Sequence, residues 1–315
     1  MFKPDNTCLS FGMAISLSWS DNFMRVRAIP KDNLRDVIDQ DWIDHTRRPY
    51  AEGEIAWVPV RDNEPCDRDI PPRRRFSGRG FFMIGDIAIL HGKKPPREEV
   101  DEIVRFRHPR GVLWIETIHD VTRTPVTEVL WGDTGEVQHH ENGYTYFLDP
   151  GKVMFAQGNR SEKMRIAQLI RRSKEDESVA DMYAGIGYFT IPMAGSGAHV
   201  HAMEINPIAF DYLNRNSIKN GLSDQIKSSL GDCRDLLTGT YNRIVMGHFD
   251  SLSMLPSALL HVREGSVIHL HSIGVVEDLI KKHVAGAGFS ASIHVHKVKK
   301  YRPHTWHVVQ DVTIT

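Results

Sequence analysis

Hydrophobic and polar positions along the chain keep two different rhythms, and the change falls near residue 150. Before it, apolar residues come in short runs separated by turn formers. "EIAWVPV" (54–60), "FFMIGDIAILHG" (81–92), "GVLWIETI" (111–118) and "VTEVLWG" (126–132) have the length and β-branched content of strands. "PREEVDEIVRFR" (96–107) has helical spacing instead. Asn142-Gly143, set between Val-, Tyr- and Phe-rich runs, predicts a β-hairpin, because both residues accept the positive φ of a tight turn. Residues 76–150 therefore read as a small α+β domain.

Past residue 160 the texture becomes strand–helix–strand. "SEKMRIAQLIRRS" (161–173) sets Met164, Ile166, Ala167 and Ile170 near helical spacing, with Ser161 available as N-cap. "SVADMY" and "AHVHAMEI" read as buried strands. "NPIAFDYLNRNSIKNGL" (206–222) is a helix with Pro207 in its first turn and Gly221 past its end. Four further strands begin "IKSSLG", "RIVMGHF", "SVIHLHSI" and "SASIHVHKVKKY", and a last one, "HVVQDVTI", follows after only the short linker "RPHT". Such a linker predicts an antiparallel hairpin ending a mainly parallel sheet. The expectation is an α/β protein in three parts: an N-terminal region, 1–75, of no assigned role, the small α+β domain, 76–150, and an α/β domain, 151–315.

Composition narrows the class without naming a partner. The 315 residues are 41% hydrophobic and 25% charged, with a formal net charge of −1. No run of 18 apolar residues occurs, so no membrane span is expected. Cys8, Cys66 and Cys233 are sparse and in no metal-like spacing, which fits a reduced cytoplasm. The His pairs 199/201, 269/271 and 294/296 each share a strand face, but no third ligand joins them, and no metal is expected. Charge is local: "HTRR" (45–48), "RRRFSGR" (73–79) and "KVKKYRPH" (297–304) are basic.

The chemistry concentrates at "DMYAGIGYFTIP", residues 181–192. A strand ending at Asp181, then Gly185-x-Gly187, then a helix brings backbone close to a ligand. Thr190 stands where a dinucleotide fingerprint would have its third glycine, which counts against NAD. The next strand ends at Glu204, 23 residues after Asp181, placed to accept from the hydroxyls of a ribose. A third strand runs into "GDCRD", where Asp232 faces an adenine amino group. Three acids at one sheet edge, with no phosphate-gripping loop, suit a cationic adenosine compound, and S-adenosylmethionine is the candidate.

"KVMFAQGNRSEKMRIAQL", "DMYAGIGYFTIP", "HAMEINPIAFDYLNRNSIKNG", "GDCRD" and "KVKKYRPHTWHVVQDV" follow one another as in one family of tRNA-modifying enzymes. The chain resembles that family over about residues 75–315. It holds the guanine-37 N1-methyltransferases of archaea and eukaryotes and the wybutosine-synthesising aminocarboxypropyltransferases. The resemblance implies a class I, Rossmann-like fold with S-adenosylmethionine as donor. It also implies a monomer acting on tRNA, at the anticodon loop of tRNA(Phe). Donor binding falls to Ala156, Lys163, Asp181, Tyr183, Ala184, Gly185, Gly187, Glu204, Ile205, Asp232 and Cys233. Within that set, Lys163 would meet the amino acid carboxylate, Glu204 the ribose, and Asp232 with Cys233 the adenine; Asn159 and Phe155 would close over the methionine end. The family tends to carry Ser where Ala156 stands. His248 and Asn159 are the candidates for catalysis. Arg73, Arg74, Arg75, Lys299, Lys300 and Arg302 are those for tRNA phosphates, with Tyr301 and Trp306 as stacking platforms.

The two branches move different groups from the same donor. The methyltransferase branch has an Asn-Pro-Pro or Asn-Leu-Pro type of turn after the fourth strand. Here that turn reads Met246-Gly247-His248-Phe249, which favours aminocarboxypropyl transfer to carbon 7 of 4-demethylwyosine at position 37. Guanine-37 N1-methylation, a non-catalytic tRNA-binding protein and a small-molecule methyltransferase remain as alternatives.

Overall fold

The computed structural model describes residues 23–70, 76, 78–155, 157–173 and 176–315, and the chain divides into two compact units at Ser77/Gly78. Among the described residues no helix is long and apolar enough to cross a membrane.

The first unit is a four-stranded antiparallel sheet of β1 (Met24–Pro30), β2 (Tyr50–Glu52), β3 (Ile55–Pro59) and β4 (Arg68–Ile70), in the order β2-β3-β1-β4. A single helical turn, α1 (Leu34–Val37), follows β1. Val26, Ala56 and Val58 are buried, and the Arg27 guanidinium lies 4.3 Å from the Trp42 ring centroid.

The second unit opens with β5 (Phe82–Ile84), β6 (Ile87–His91), α2 (Arg97–Arg107), β7 (Gly111–His119) and β8 (Thr124–Gly132). Their sheet runs β5-β6-β7-β8, with β6 and β7 parallel across the α2 crossover. Glu98 and Glu99 in the first turn of α2, with Arg105 and Arg107 in the last, complement its dipole. β9 (Val137–Glu141) and β10 (Tyr144–Leu148) form the expected hairpin, and Asn142 and Gly143 have φ of 55° and 85°.

The remaining elements form a seven-stranded sheet flanked by helices. In chain order they are α3 (Arg160–Arg172), β11 (Ser178–Asp181), α4 (Thr190–Ala194), β12 (His199–Glu204), α5 (Pro207–Lys219) and β13 (Ile226–Leu230). There follow α6 (Cys233–Leu236), β14 (Arg243–Met246), α7 (Ser251–Leu259), β15 (Val267–Ile273), α8 (Glu277–Gly286), β16 (Ala291–Arg302) and β17 (Thr305–Ile314). The sheet order is β13-β12-β11-β14-β15-β17-β16; the first five strands are parallel, and β17 and β16 are the antiparallel end. This is a Rossmann-like sheet whose strand order reverses between β11 and β14.

Two local findings differ from the sequence reading. Helix α3 begins at Arg160 with Asn159 at the cap position, so Ser161 lies inside the first turn. The small-domain hairpin is welded to the large sheet's helix. The buried Asn216 of α5 accepts the Phe147 N–H at 2.7 Å and donates to the Ile186 carbonyl at 2.9 Å, and Asn220 accepts the Thr145 N–H at 3.0 Å. Side-chain amides thus serve the free edge of β10, and one core runs from Ile84 through Tyr146 and Phe155 to Leu213.

Candidate donor and acceptor site

At the carboxyl ends of β11, β12 and β14, where the strand order reverses, lies a cavity of 1970 Å³. Open α/β sheets bind ligands at this place, because loops on both sides part there. Gly185 and Gly187 have φ of 58° and 100°, and the turn they make leads the chain into α4. A Cβ at Gly185 would sit 2.3 Å from the Tyr188 ring, so only glycine allows that ring to fold back.

Glu204 ends β12 at the cavity wall. Its Oε2 accepts the Gly185 N–H at 2.7 Å and its Oε1 the Asn206 N–H at 2.7 Å. Burial raises its pKa, and these backbone bonds pull it back down. The carboxylate is fixed by main chain, and its remaining lone pairs are free for a ligand. Ile205 beside it is 38% exposed, an apolar surface next to this carboxylate. Asp232 caps α6 through the Arg234 N–H at 2.9 Å, and its pairing with the Arg234 guanidinium holds it below the usual carboxylate range. Cys233 is buried, and burial pushes its thiol up to about 11, so it is an uncharged wall residue.

The opposite wall is assembled from distant pieces. Lys163 of α3 is not the exposed helix lysine that composition alone suggests. It is 1% exposed, and its Nζ donates to Glu141 Oε1 at 2.8 Å. Its ammonium lies 4.9 Å from the Phe155 ring centroid and 5.2 Å from that of Tyr188. Asn159, one turn earlier, is buried with its Oδ1 unpartnered.

His248 follows β14 and stacks on Tyr183, centroids 5.2 Å apart. Arg123 Nη1 approaches its Nε2 at 2.8 Å, and the Asp250 N–H approaches its Nδ1 at 3.1 Å. Burial, and then the Arg123 charge, lower its pKa, so the ring is neutral near pH 7. A neutral imidazole carries one N–H yet meets a donor at each nitrogen. One of the two contacts must therefore yield, and the Arg123 side chain, long and many-donored, is the adaptable partner. Arg123 itself has a positive φ of 52°, and its Nε is buried without a partner. Burial lowers its pKa within a range where a guanidinium stays charged.

Of the residues expected from sequence, Asn159, Lys163, Tyr183, Gly185, Glu204, Ile205, Asp232, Cys233, His248 and Lys299 line this one cavity. Three others lie behind its wall. Asp181 is fully buried, accepting the Thr190 hydroxyl at 2.7 Å and the Tyr183 N–H at 3.4 Å, and burial pushes it up to about 6. It braces the glycine turn from beneath. Ala184 is fully buried, and a Cβ at Gly187 would meet Ile191 and Leu213 rather than open space. Lys300 and Arg302 are exposed on β16, with Tyr301 at the cavity rim, and Lys297 stacks over Trp306 at 5.3 Å. Ala156, Arg73, Arg74 and Arg75 lie outside the described residues.

Three of the paired strand histidines make side-chain hydrogen bonds. His201 bonds Tyr241 and Ser229 at 2.8 and 3.0 Å; His269 donates to Asp311 at 2.6 Å while accepting from Arg243; His271 bonds His307 at 3.0 Å. Among the described residues no group of three or more His, Cys, Asp or Glu is arranged to hold a metal ion.

A donor with adenine, ribose and an amino acid carboxylate fits these walls. Glu204, Asp232 and the Lys163 ammonium line one cavity, and so do Asn159 and Arg123, each with a buried unpartnered polar atom. Arg123, Phe155 and Tyr188 complete the lining, and Glu141 backs it through Lys163. Phe155 and Tyr188 lie in the quoted sequence motifs; Arg123 and Glu141 are brought in by tertiary packing.

Comparison with known proteins agrees in family and fold. The TRM5/TYW2 methyltransferase domain family matches residues 137–299. A Methanocaldococcus jannaschii protein named tRNA(Phe) (4-demethylwyosine(37)-C(7)) aminocarboxypropyltransferase is 35% identical over 247 residues, covering 74% of this chain and 97% of that protein. The crystal structure of M. jannaschii TYW2 in complex with AdoMet superposes with a TM-score of 0.59 at 29% identity, over 75% of this chain and 99% of that one. Wild-type Trm5b from Pyrococcus abyssi gives a TM-score of 0.69 at 24% identity over 93% and 99%, a likeness of fold alone.

Proposed function

Since the chain belongs to the TRM5/TYW2 family, we propose that it is the aminocarboxypropyltransferase that acts on carbon 7 of 4-demethylwyosine in tRNA, in the synthesis of wybutosine derivatives. The observation that carries the choice of transferred group is the exit of β14. Met246-Gly247-His248-Phe249 offers no Asn-Pro clamp, and Gly247 instead lets the Phe189 ring close in, where a Cβ would come within 3.2 Å. The 35% identity to an aminocarboxypropyltransferase supports the same branch.

S-adenosylmethionine supplies the 3-amino-3-carboxypropyl group when bound, with methylthioadenosine leaving as the acceptor carbon bonds to the γ-carbon. Glu204 holds the ribose, Asp232 with Cys233 the adenine edge, and Lys163 the carboxylate. Because any carbon on a sulfonium can be displaced, in-line placement decides the product, and the site's work is orientation and exclusion of water. Asn159 and Phe155 shield the arm. His248, neutral and on the wall, takes up the proton that the acceptor ring gives up on rearomatising. Lys299 on the cavity wall, with Lys300 and Arg302 beyond it, neutralises phosphates, and the target base stacks on Tyr301. The anticodon loop of tRNA(Phe) is the proposed acceptor.

The by-product tests the reading. Incubation with S-adenosylmethionine and tRNA bearing the tricyclic base is expected to release methylthioadenosine in proportion to modified tRNA. Release of S-adenosylhomocysteine would make the chain a methyltransferase of the same family.

A further inference from the structure

Glu141 belongs to none of the motifs that carry the donor site and does not line the cavity, yet its buried carboxylate pairs with Lys163, which does. It ends β9, and its side chain is 4% exposed beside a Lys163 side chain at 2%. Burying a lone ammonium costs several kcal/mol, so an unpaired lysine here would give up its proton. Burial does lower the Lys163 pKa; Lys299 from β16 and Arg160 from its own helix push the same way, while Glu141 opposes all three. Tyr188 from the glycine turn faces the ammonium with its ring, and His139, also of β9, is near enough for its own pKa to feel the lysine charge. Glu141 is therefore the anionic partner that offsets burial.

We infer that Glu141 is a positioning residue for the transfer, holding Lys163 as a charged and oriented anchor for the carboxylate of the arm that moves. The inference rests on the assignment of Lys163 made above. An ammonium has three protons to donate; one is committed to Glu141, and the ring faces of Phe155 and Tyr188 fix the direction of the others. In methyl transfer the anchored carboxylate stays on the leaving group. In aminocarboxypropyl transfer it belongs to the group that changes partner, so the same anchor sets the γ-carbon before and after the bond to sulfur breaks. Glu141 then bears on kcat as well as on donor affinity.

The test uses Glu141→Gln, which keeps size and one acceptor, with Glu141→Asp as the charge-conserving control. Donor affinity is measured by calorimetry from about pH 6.5 to about pH 8.5, and transfer of carboxyl label to tRNA at saturating donor. The wild type is expected to bind with little change over that range. Glu141→Gln should lose roughly tenfold in affinity across it as Lys163 discharges, and roughly tenfold in kcat, with Glu141→Asp recovering part of both. Wild-type affinity, a flat pH profile and wild-type kcat in a folded Glu141→Gln would overturn the inference. A misfolded Gln variant leaves the Asp variant to decide: affinity that stays flat over the pH range supports the charge, and a loss of roughly tenfold across it opposes it. If the wild type moves no carboxyl label, the functional proposal fails while the binding profiles still judge Glu141.

Discussion

On one side of the cavity Glu204 and Asp232 stand at the ends of adjacent parallel strands, held by backbone N–H groups within two to about twenty residues of themselves. On the other side Lys163, Glu141, Arg123 and His248 converge from α3, β9, the β7–β8 turn and the end of β14, and they hold one another. The first wall is a property of a local pattern repeated three times along a sheet. The second is a property of tertiary packing. The difference has a mechanical consequence: the first wall tolerates loss of a side chain, because the main chain keeps its shape, whereas the second loses a buried partner with each substitution.

The largest effect should therefore come from the second wall. Lys163→Met leaves Glu141 buried without its cation, and a loss of about 3 kcal/mol or more in folding stability is expected from denaturant unfolding; wild-type stability would mean that Glu141 finds another partner. Gly185→Ala attacks the first wall through its backbone rather than its acids. With φ at 58° and the Tyr188 ring in the way, it should cost about 2 kcal/mol and weaken donor binding together. Glu204→Gln is the contrast case: the fold should survive, with donor affinity down roughly tenfold to a hundredfold by calorimetry. Unchanged affinity would remove Glu204 from the ribose. Lys299→Ala with Lys300→Ala should leave donor binding near wild type and lower the salt dependence of tRNA binding by about one to two in log–log slope.

The smallest effect concerns the carboxylate behind the first wall. Asp181 is raised from 3.8 to about 6 in the fold by burial, so between those values the folded state binds the extra proton. Its contribution favours folding at low pH and is lost as pH rises through about 6. Asp181→Asn, which still accepts from Thr190, should flatten that part of the stability–pH curve, with a gain of about 1 kcal/mol near neutrality. A steeper curve in the variant would mean that the charged carboxylate stabilises the glycine turn.

The contrast also explains what the sequence disclosed. Alternating strands and helices, the Asn142-Gly143 turn, the final antiparallel hairpin and the acids Glu204 and Asp232 all rest on patterns within a few residues, and the structure has them. Asp181 and Ala184 belong to the same motif but are fully buried, Asp181 being taken up by the Thr190 hydroxyl and the Tyr183 N–H. Ser161 failed as a cap because the helix had already begun at Arg160, with Asn159 at the cap position. Glu141 and Arg123 were invisible for a physical reason: they lie 22 and 125 residues from the partners they meet. The joining of the β9–β10 hairpin to α5 depends likewise on Asn216 and Asn220, whose amides look like ordinary helix-surface residues until Phe147 and Thr145 are placed beside them.

On the proposed function the aminocarboxypropyl arm, rather than the methyl group, leaves the sulfonium. Two samples of S-adenosylmethionine, one labelled in the carboxyl group and one in the methyl group, would each be incubated with the protein and with tRNA carrying 4-demethylwyosine or plain guanine at position 37. Carboxyl label on the tricyclic tRNA, with none of the methyl label, is the predicted result. Methyl label on either tRNA, without carboxyl label, would contradict it.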